Sequence, residues 1–229
     1  MPLASSIADR LEAVEARIER ACARAGRKRA DITLVAVSKK FSAAAMREAY
    51  AAGLRTFGEN YVQEFAAKKP ELGGLGGAQF HLIGHLQSNK ARQAAELFDA
   101  VETVDSTRLL ERLDSALEGQ NRALDVLFEI KLAEEASKTG AAPAEIPRLL
   151  EAARGCAHLR ATGLMVIPPW SEDPEATRPY FRRLAALARE HNLSQLSMGM
   201  SNDFEAAIEE GATIIRVGTA LFGARPKPQ

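Results

Sequence analysis

The sequence predicts an α/β fold, a single (β/α)8 (TIM) barrel with one extra helix ahead of it. Three observations carry this. Eight short β-branched runs recur along the 229 residues, alternating with Ala-, Leu-, Glu- and Arg-rich segments of helical spacing. Such alternation implies parallel strands joined by right-handed crossovers. Runs such as ITLVAV and DVLFEI are apolar at both parities, as strands are when both faces are covered. Eight units in about 200 residues are the count and size of a small barrel. An open doubly wound sheet is the alternative that periodicity leaves standing.

The elements follow in order. Leu3, Ile7, Leu11, Val14 and Ile18 mark one face of an N-terminal helix that Gly26 stops, giving a helical segment over residues 1–27. Strands are predicted at Ile32–Val37, Thr56–Gly58, Phe80–Ile83, Ala100–Val104, Leu124–Leu132, Leu159–Ile167, Gln195–Met198 and Thr213–Val217. Helices are clearest at Ala43–Ala52, Ser106–Leu117, Glu145–Ala153 and Asp173–Arg189. The Gly-rich stretch 73–77 reads as the loop entering the third strand, and no linker or repeat interrupts 1–229, so one domain is expected. The N-terminal helix is expected on the barrel, across its bottom or against a second copy.

Composition narrows the function. The chain is 46% hydrophobic and 26% charged, with 30 Lys+Arg against 30 Asp+Glu, which excludes a disordered chain and gives no global field to draw nucleic acid. Cys22 and Cys156 have no metal-ligand spacing with the four histidines and read as reduced, small side chains. The first twenty residues carry charges throughout, without a signal-peptide core, and no apolar stretch is long enough for a bilayer. A cytoplasmic protein without membrane contact is expected.

Barrels of this class do chemistry at the C-terminal ends of their strands. The seventh delivers Ser201, beside Asn202 and Glu205, which read as an N-cap and its reciprocal acid opening a helix that Gly211 closes. The eighth delivers Gly218, where backbone can approach a ligand, and Thr219. These are the two loops at which such barrels often bind phosphate, although Gly and Ser also mark ordinary turns. Lys39 ends the first strand, where partial desolvation and nearby cations would favour the neutral amine that attacks an aldehyde. A solvated lysine is the plainer reading of that position, and strand parity lets only one of Lys39 and Lys40 face a pocket. Arg216, inside an apolar strand, needs either a buried acid or a polar ligand. An amine, an anion site and a buried arginine together suit a phosphorylated aldehyde with a heteroaromatic nitrogen, a description that pyridoxal phosphate fits. His81 reads as a strand residue, His85 as lining the mouth, and His158 and His191 as surface. Ser38 has no triad partners, and neither GxGxxG nor a Walker-type loop occurs.

The segments VAVSK (35–39), FGENYVQE (57–64), HLIGHLQSNK (81–90), GLMVIP (163–168), LSMGMSNDFEAAI (196–208) and IRVGTALFG (215–223) closely resemble the pyridoxal phosphate homeostasis protein family, in order and with its spacing over nearly the whole chain. The resemblance implies a single barrel like the N-terminal domain of alanine racemase. It implies pyridoxal 5′-phosphate held as a Schiff base on Lys39, Arg216 at the pyridine nitrogen, and Ser201, Gly218 and Thr219 around the phosphate. Asn60 and Met165 match residues lining the pocket around the ring. The stretch Ser137-Lys138-Thr139-Gly140 is also family-like, without an assigned role.

An arginine at the ring nitrogen disfavours its protonation and makes the ring a poorer electron sink. The sequence ends at Gln229, soon after the eighth strand, so a second domain supplying a tyrosine base is not expected. A non-catalytic carrier that buffers pyridoxal phosphate or delivers it to apo-enzymes is therefore expected, as a monomer. Two enzymatic alternatives are an amino-acid racemase using Tyr61 or His85 as base, and a Schiff-base aldolase acting on a sugar phosphate.

Overall fold

The computed structural model describes residues 6–133 and 139–224. Eight parallel strands close in chain order into one barrel, the last pairing with the first. They are β1 (Thr33–Val37), β2 (Thr56–Glu59), β3 (Gln79–Leu82), β4 (Ala100–Val104), β5 (Leu124–Glu129), β6 (Leu159–Met165), β7 (Gln195–Met200) and β8 (Ile214–Val217). The open-sheet alternative is thereby excluded. Helix α1 (Ile7–Arg24) precedes them, and α2 (Ala43–Ala51), α3 (Val62–Lys68), α4 (Ala91–Leu97), α5 (Thr107–Ala116), α6 (Ile146–Arg154), α7 (Arg178–Glu190) and α8 (Phe204–Glu209) follow successive strands. After β8 comes a single turn, α9 (Thr219–Phe222). Among the described residues no helix is long and apolar enough to cross a membrane.

Strand parity builds two cores. Side chains such as Phe57, Phe128 and Leu164 point outward and, with Phe65, Phe181 and Phe204 from the helices, fill the layer around the sheet. Truncating one of these buried rings to alanine costs about 3–5 kcal/mol. The opposite parity places Val35, Leu127, Met165 and Ile214 together inside the barrel as a small apolar plug. Toward the C-terminal strand ends, Glu129 and Arg216 follow Leu127 and Ile214 on the same face. The interior therefore turns polar where a site is needed.

Helix α1 lies along the side of the barrel against α8, α9 and α2, rather than across its bottom. Since α9 is only one turn, α1 fills the place a full eighth helix would take. A capping box joins Ser6 and Asp9 at its start. Arg17 grips Glu205 with two hydrogen bonds of 2.6 and 2.8 Å and lies 4.2 Å over the Phe204 ring. Arg10 Nε donates to the Leu221 carbonyl at 2.6 Å.

Four expectations shift. β5 stops at Glu129, leaving only an Ile130–Ala141 bridge, and β6 stops at Met165, ahead of Pro168 and Pro169. β7 runs on to Met200 through Gly199, which takes φ +92° where the register with β8 shifts. The N-cap of α8 is Asp203, not Asn202. The Asp203 carboxylate turns back to the Met200 N–H at 2.6 Å, and Glu205 is held by Arg17, a stronger two-point partner than one backbone N–H.

Candidate functional site

The end of β1 sorts the two lysines. Ser38 is buried on the outer side, donating to Glu59 at 2.8 Å, and Lys68 reaches both the Ser38 carbonyl (3.1 Å) and Glu59 (2.9 Å). Burial pushes the Glu59 carboxyl upward against the pull of Lys68. With Ser38 pinned outward, Lys39 falls on the inner parity and lines a cleft at the barrel mouth. Lys40 is exposed, sits in the left-handed region at φ 65°, and donates its N–H to Glu64 at 2.5 Å. Among the described residues, Lys39 is the lysine that lines the cleft.

Asn60, just past β2, lines the same cleft. A methyl on Gly84 would lie 2.3 Å from the Asn60 carbonyl, so only glycine lets the end of β3 pass this close. From β7 and β8 come Ser201, Arg216, Gly218 and Thr219, all on the cleft wall. Ser201 Oγ accepts the N–H groups of Gly218 and Ala220 at 3.3 and 3.5 Å, which clips the two loops together. The cleft has a volume of about 300 Å³, at the small end of the range for small-molecule sites.

Arg216 is 4% exposed. Its Nη1 donates to Ser197 Oγ at 2.6 Å and its Nη2 to the Val166 carbonyl at 2.8 Å. Ser197 Oγ lies 2.5 Å from Glu102 Oε2, and Glu102 Oε1 lies 2.7 Å from His81 Nδ1. Burial works against the Glu102 carboxylate, but the His81 hydrogen bond, the charges of His81 and Arg216 and the Ser197 hydroxyl outweigh it and hold this carboxyl below its ordinary value. Two other buried acids go the other way: burial lifts Glu129, which accepts Thr139 Oγ1 at 3.0 Å, and burial lifts Asp203.

Six of the seven residues singled out from sequence thus share one cleft: Lys39, Asn60, Ser201, Arg216, Gly218 and Thr219. Met165 does not line it. It is fully buried in the apolar plug, two residues below Ile167, which supplies that strand's part of the wall. His85 is half exposed with Nδ1 4.0 Å from Asp105, off the cleft lining, and Tyr61 is exposed and off it too. His81 is a buried strand residue as read, whereas His158 is partly buried and takes its N–H to Asp114 at 2.7 Å. Ser137 and Lys138 lie outside the described residues. Sequence reasoning missed Trp170 on the rim and the Glu102–Ser197 link. An acid inside the apolar run AVETV carries the same signal that Arg216 gave in IIRV.

Comparison with known proteins agrees with this fold. Residues 10–226 match the family model described as alanine racemase, N-terminal domain. The pyridoxal phosphate homeostasis protein of Pseudomonas aeruginosa is 48% identical over 223 residues, covering 96% of either chain. That of Escherichia coli K12 is 44% identical over 228 residues, covering 96% of this chain and 97% of its own. The chain belongs to the pyridoxal phosphate homeostasis protein family. Within reach of this family is PipY of Synechococcus elongatus, solved with pyridoxal phosphate bound, which is 41% identical with a TM-score of 0.82 over 95% of this chain and 100% of its own. Alanine racemase of Clostridium difficile, at 13% identity and a TM-score of 0.70, covers 96% of this chain and 58% of its own and shares the fold alone. Family membership and the barrel match the expectations drawn from the six motifs.

Proposed function

We propose that this homeostasis-family protein binds pyridoxal 5′-phosphate as a Schiff base on Lys39 and holds or delivers it without turning over a substrate. The observation that carries this reading is the convergence of Lys39, Arg216, Ser201, Gly218 and Thr219 on one small cleft. When bound, the cofactor supplies an aldehyde that condenses with an amine and releases water. Lys39 offers that amine. Ser201, Thr219 and the backbone at Gly218 bind the phosphate, and the missing side chain at Gly218 leaves room for it. Arg216, which carries donors only, orients the ring through its nitrogen, which must then be an unprotonated acceptor. A ring held this way withdraws electrons weakly, which favours storage over carbanion chemistry.

The racemase alternative needs a base beside the ring, and neither Tyr61 nor His85 lines the cleft. In the reading favoured here the protein works as one domain and as a monomer in the cytoplasm, with apo-enzymes that use the cofactor as its recipients. The test is to mix the loaded protein with an apo-aminotransferase and follow recovered activity, while assaying the loaded protein alone for racemisation of single-enantiomer amino acids. Recovery without racemisation is expected. Racemisation that Lys39→Ala abolishes would overturn the carrier reading in favour of the enzyme.

A further inference from the structure

The chain from Arg216 to His81 crosses the barrel interior and has a fixed direction. A guanidinium only donates and a hydroxyl has one proton. Ser197 therefore accepts from Arg216 and donates to Glu102, and an ionised Glu102 takes the proton carried on His81 Nδ1. Both Glu102 oxygens are thereby engaged, so the carboxylate cannot swing round to grip Arg216 directly. Among the described residues, no carboxylate hydrogen-bonds the guanidinium. The foremost counter-charge, Glu102, stands one hydroxyl away, and Asp203 and Glu129 also act on the guanidinium through space. A direct fork would consume two of the five N–H donors and blunt the charge facing the cleft.

We infer that Glu102, acting through Ser197, is a positioning residue that locks the Arg216 guanidinium in place toward the pyridine nitrogen of bound pyridoxal phosphate and so keeps that nitrogen unprotonated. The inference rests on the placement of Arg216 at the ring proposed above. An arginine side chain loses considerable rotamer freedom when it is fixed. The Val166 carbonyl holds one end of the fork, and Ser197 supplies the second point that defines its plane. Glu102 orients the Ser197 hydroxyl and balances a cation that is buried inside the barrel. His81 locks Glu102 in turn. The four side chains come from β3, β4, β7 and β8, so the device needs the closed barrel and no single loop contains it.

The test loads the full-length protein with pyridoxal phosphate labelled with nitrogen-15 in the ring and compares wild type, Ser197→Ala, Ser197→Thr and Glu102→Gln. Nitrogen-15 NMR reads protonation of the ring nitrogen across the pH range in which each variant stays folded, and the Kd for the cofactor is measured alongside. In wild type and Ser197→Thr the resonance should be that of an unprotonated, hydrogen-bonded pyridine that does not move with pH. In Ser197→Ala and Glu102→Gln it should titrate, with Kd raised about tenfold, the effect of loosening one charge-assisted hydrogen bond. Either of these two variants carries the test should the other fail to fold. A wild-type, pH-independent resonance in both would overturn the positioning role while leaving the binding reading intact. A protonated ring nitrogen in wild type would instead overturn the placement of Arg216 at the ring, and the inference with it.

Discussion

Replacing Gly218 by alanine separates a residue required by the fold from one required by a ligand. The position has φ −114° and ψ −80°, just beyond the right-handed region but far from the left-handed region that favours glycine. A methyl there would meet Val37 Cβ at 3.4 Å and the Val37 carbonyl at 3.6 Å, ordinary packing distances. The fold should therefore accept Gly218→Ala with a stability change within about 1 kcal/mol. The ligand should not accept it. A methyl on the cleft wall keeps a phosphate from the backbone N–H groups of Gly218 and Ala220, which now point at Ser201 Oγ. Losing one charge-assisted hydrogen bond costs about 1.5–3 kcal/mol, or roughly 10- to 150-fold in Kd. Urea unfolding gives the first quantity, and spectroscopic titration with pyridoxal phosphate and with unphosphorylated pyridoxal gives the second. The variant should lose most of the preference for the phosphorylated form while unfolding like wild type. Unchanged affinity would place the phosphate elsewhere, and a large loss of stability would make Gly218 a fold residue.

Two more predictions follow from the same geometry. Trp170 is the single tryptophan, 76% exposed on the cleft rim, so its fluorescence should be quenched stoichiometrically as pyridoxal phosphate binds, and unchanged emission at saturation would refute binding in this cleft. Burial raises the Glu129 carboxyl above its unfolded value, so the native state binds that proton more tightly and stability falls as pH rises through this window. Glu129→Gln should therefore stabilise the protein at neutral pH, by about 1.4 kcal/mol per unit of upward displacement, and much less at acidic pH. Equal effects at both pH values in urea titrations would contradict the assignment.

The barrel was legible because its signals are local and repeated. β4 is found at the predicted residues Ala100–Val104, and the other strands begin within a residue of expectation. Where boundaries failed, tertiary structure had overridden local text. Gly199 ends a propensity run, yet the backbone at φ +92° carries β7 onward. Asn202 looks like a cap, but Asp203 and Arg17 claim its contacts, and its amide instead donates to the Ser171 carbonyl at 3.1 Å. The convergence of Lys39, Ser201, Arg216 and Gly218 on one cleft was readable because strand ends in a barrel point to one mouth. The depth of Met165 was not, because the six-motif resemblance names a residue without giving its layer. Glu102 and Ser197 were hidden because their meaning lies in a partner on a distant strand.

The most direct measurement of the central claim is borohydride reduction of the protein incubated with pyridoxal phosphate, followed by peptide mass mapping of wild type, Lys39→Ala and Lys40→Ala. A pyridoxyl mass is expected on the peptide carrying Lys39 in wild type and Lys40→Ala, and none in Lys39→Ala. Labelling of Lys40, or no adduct in wild type at excess cofactor, would contradict that claim.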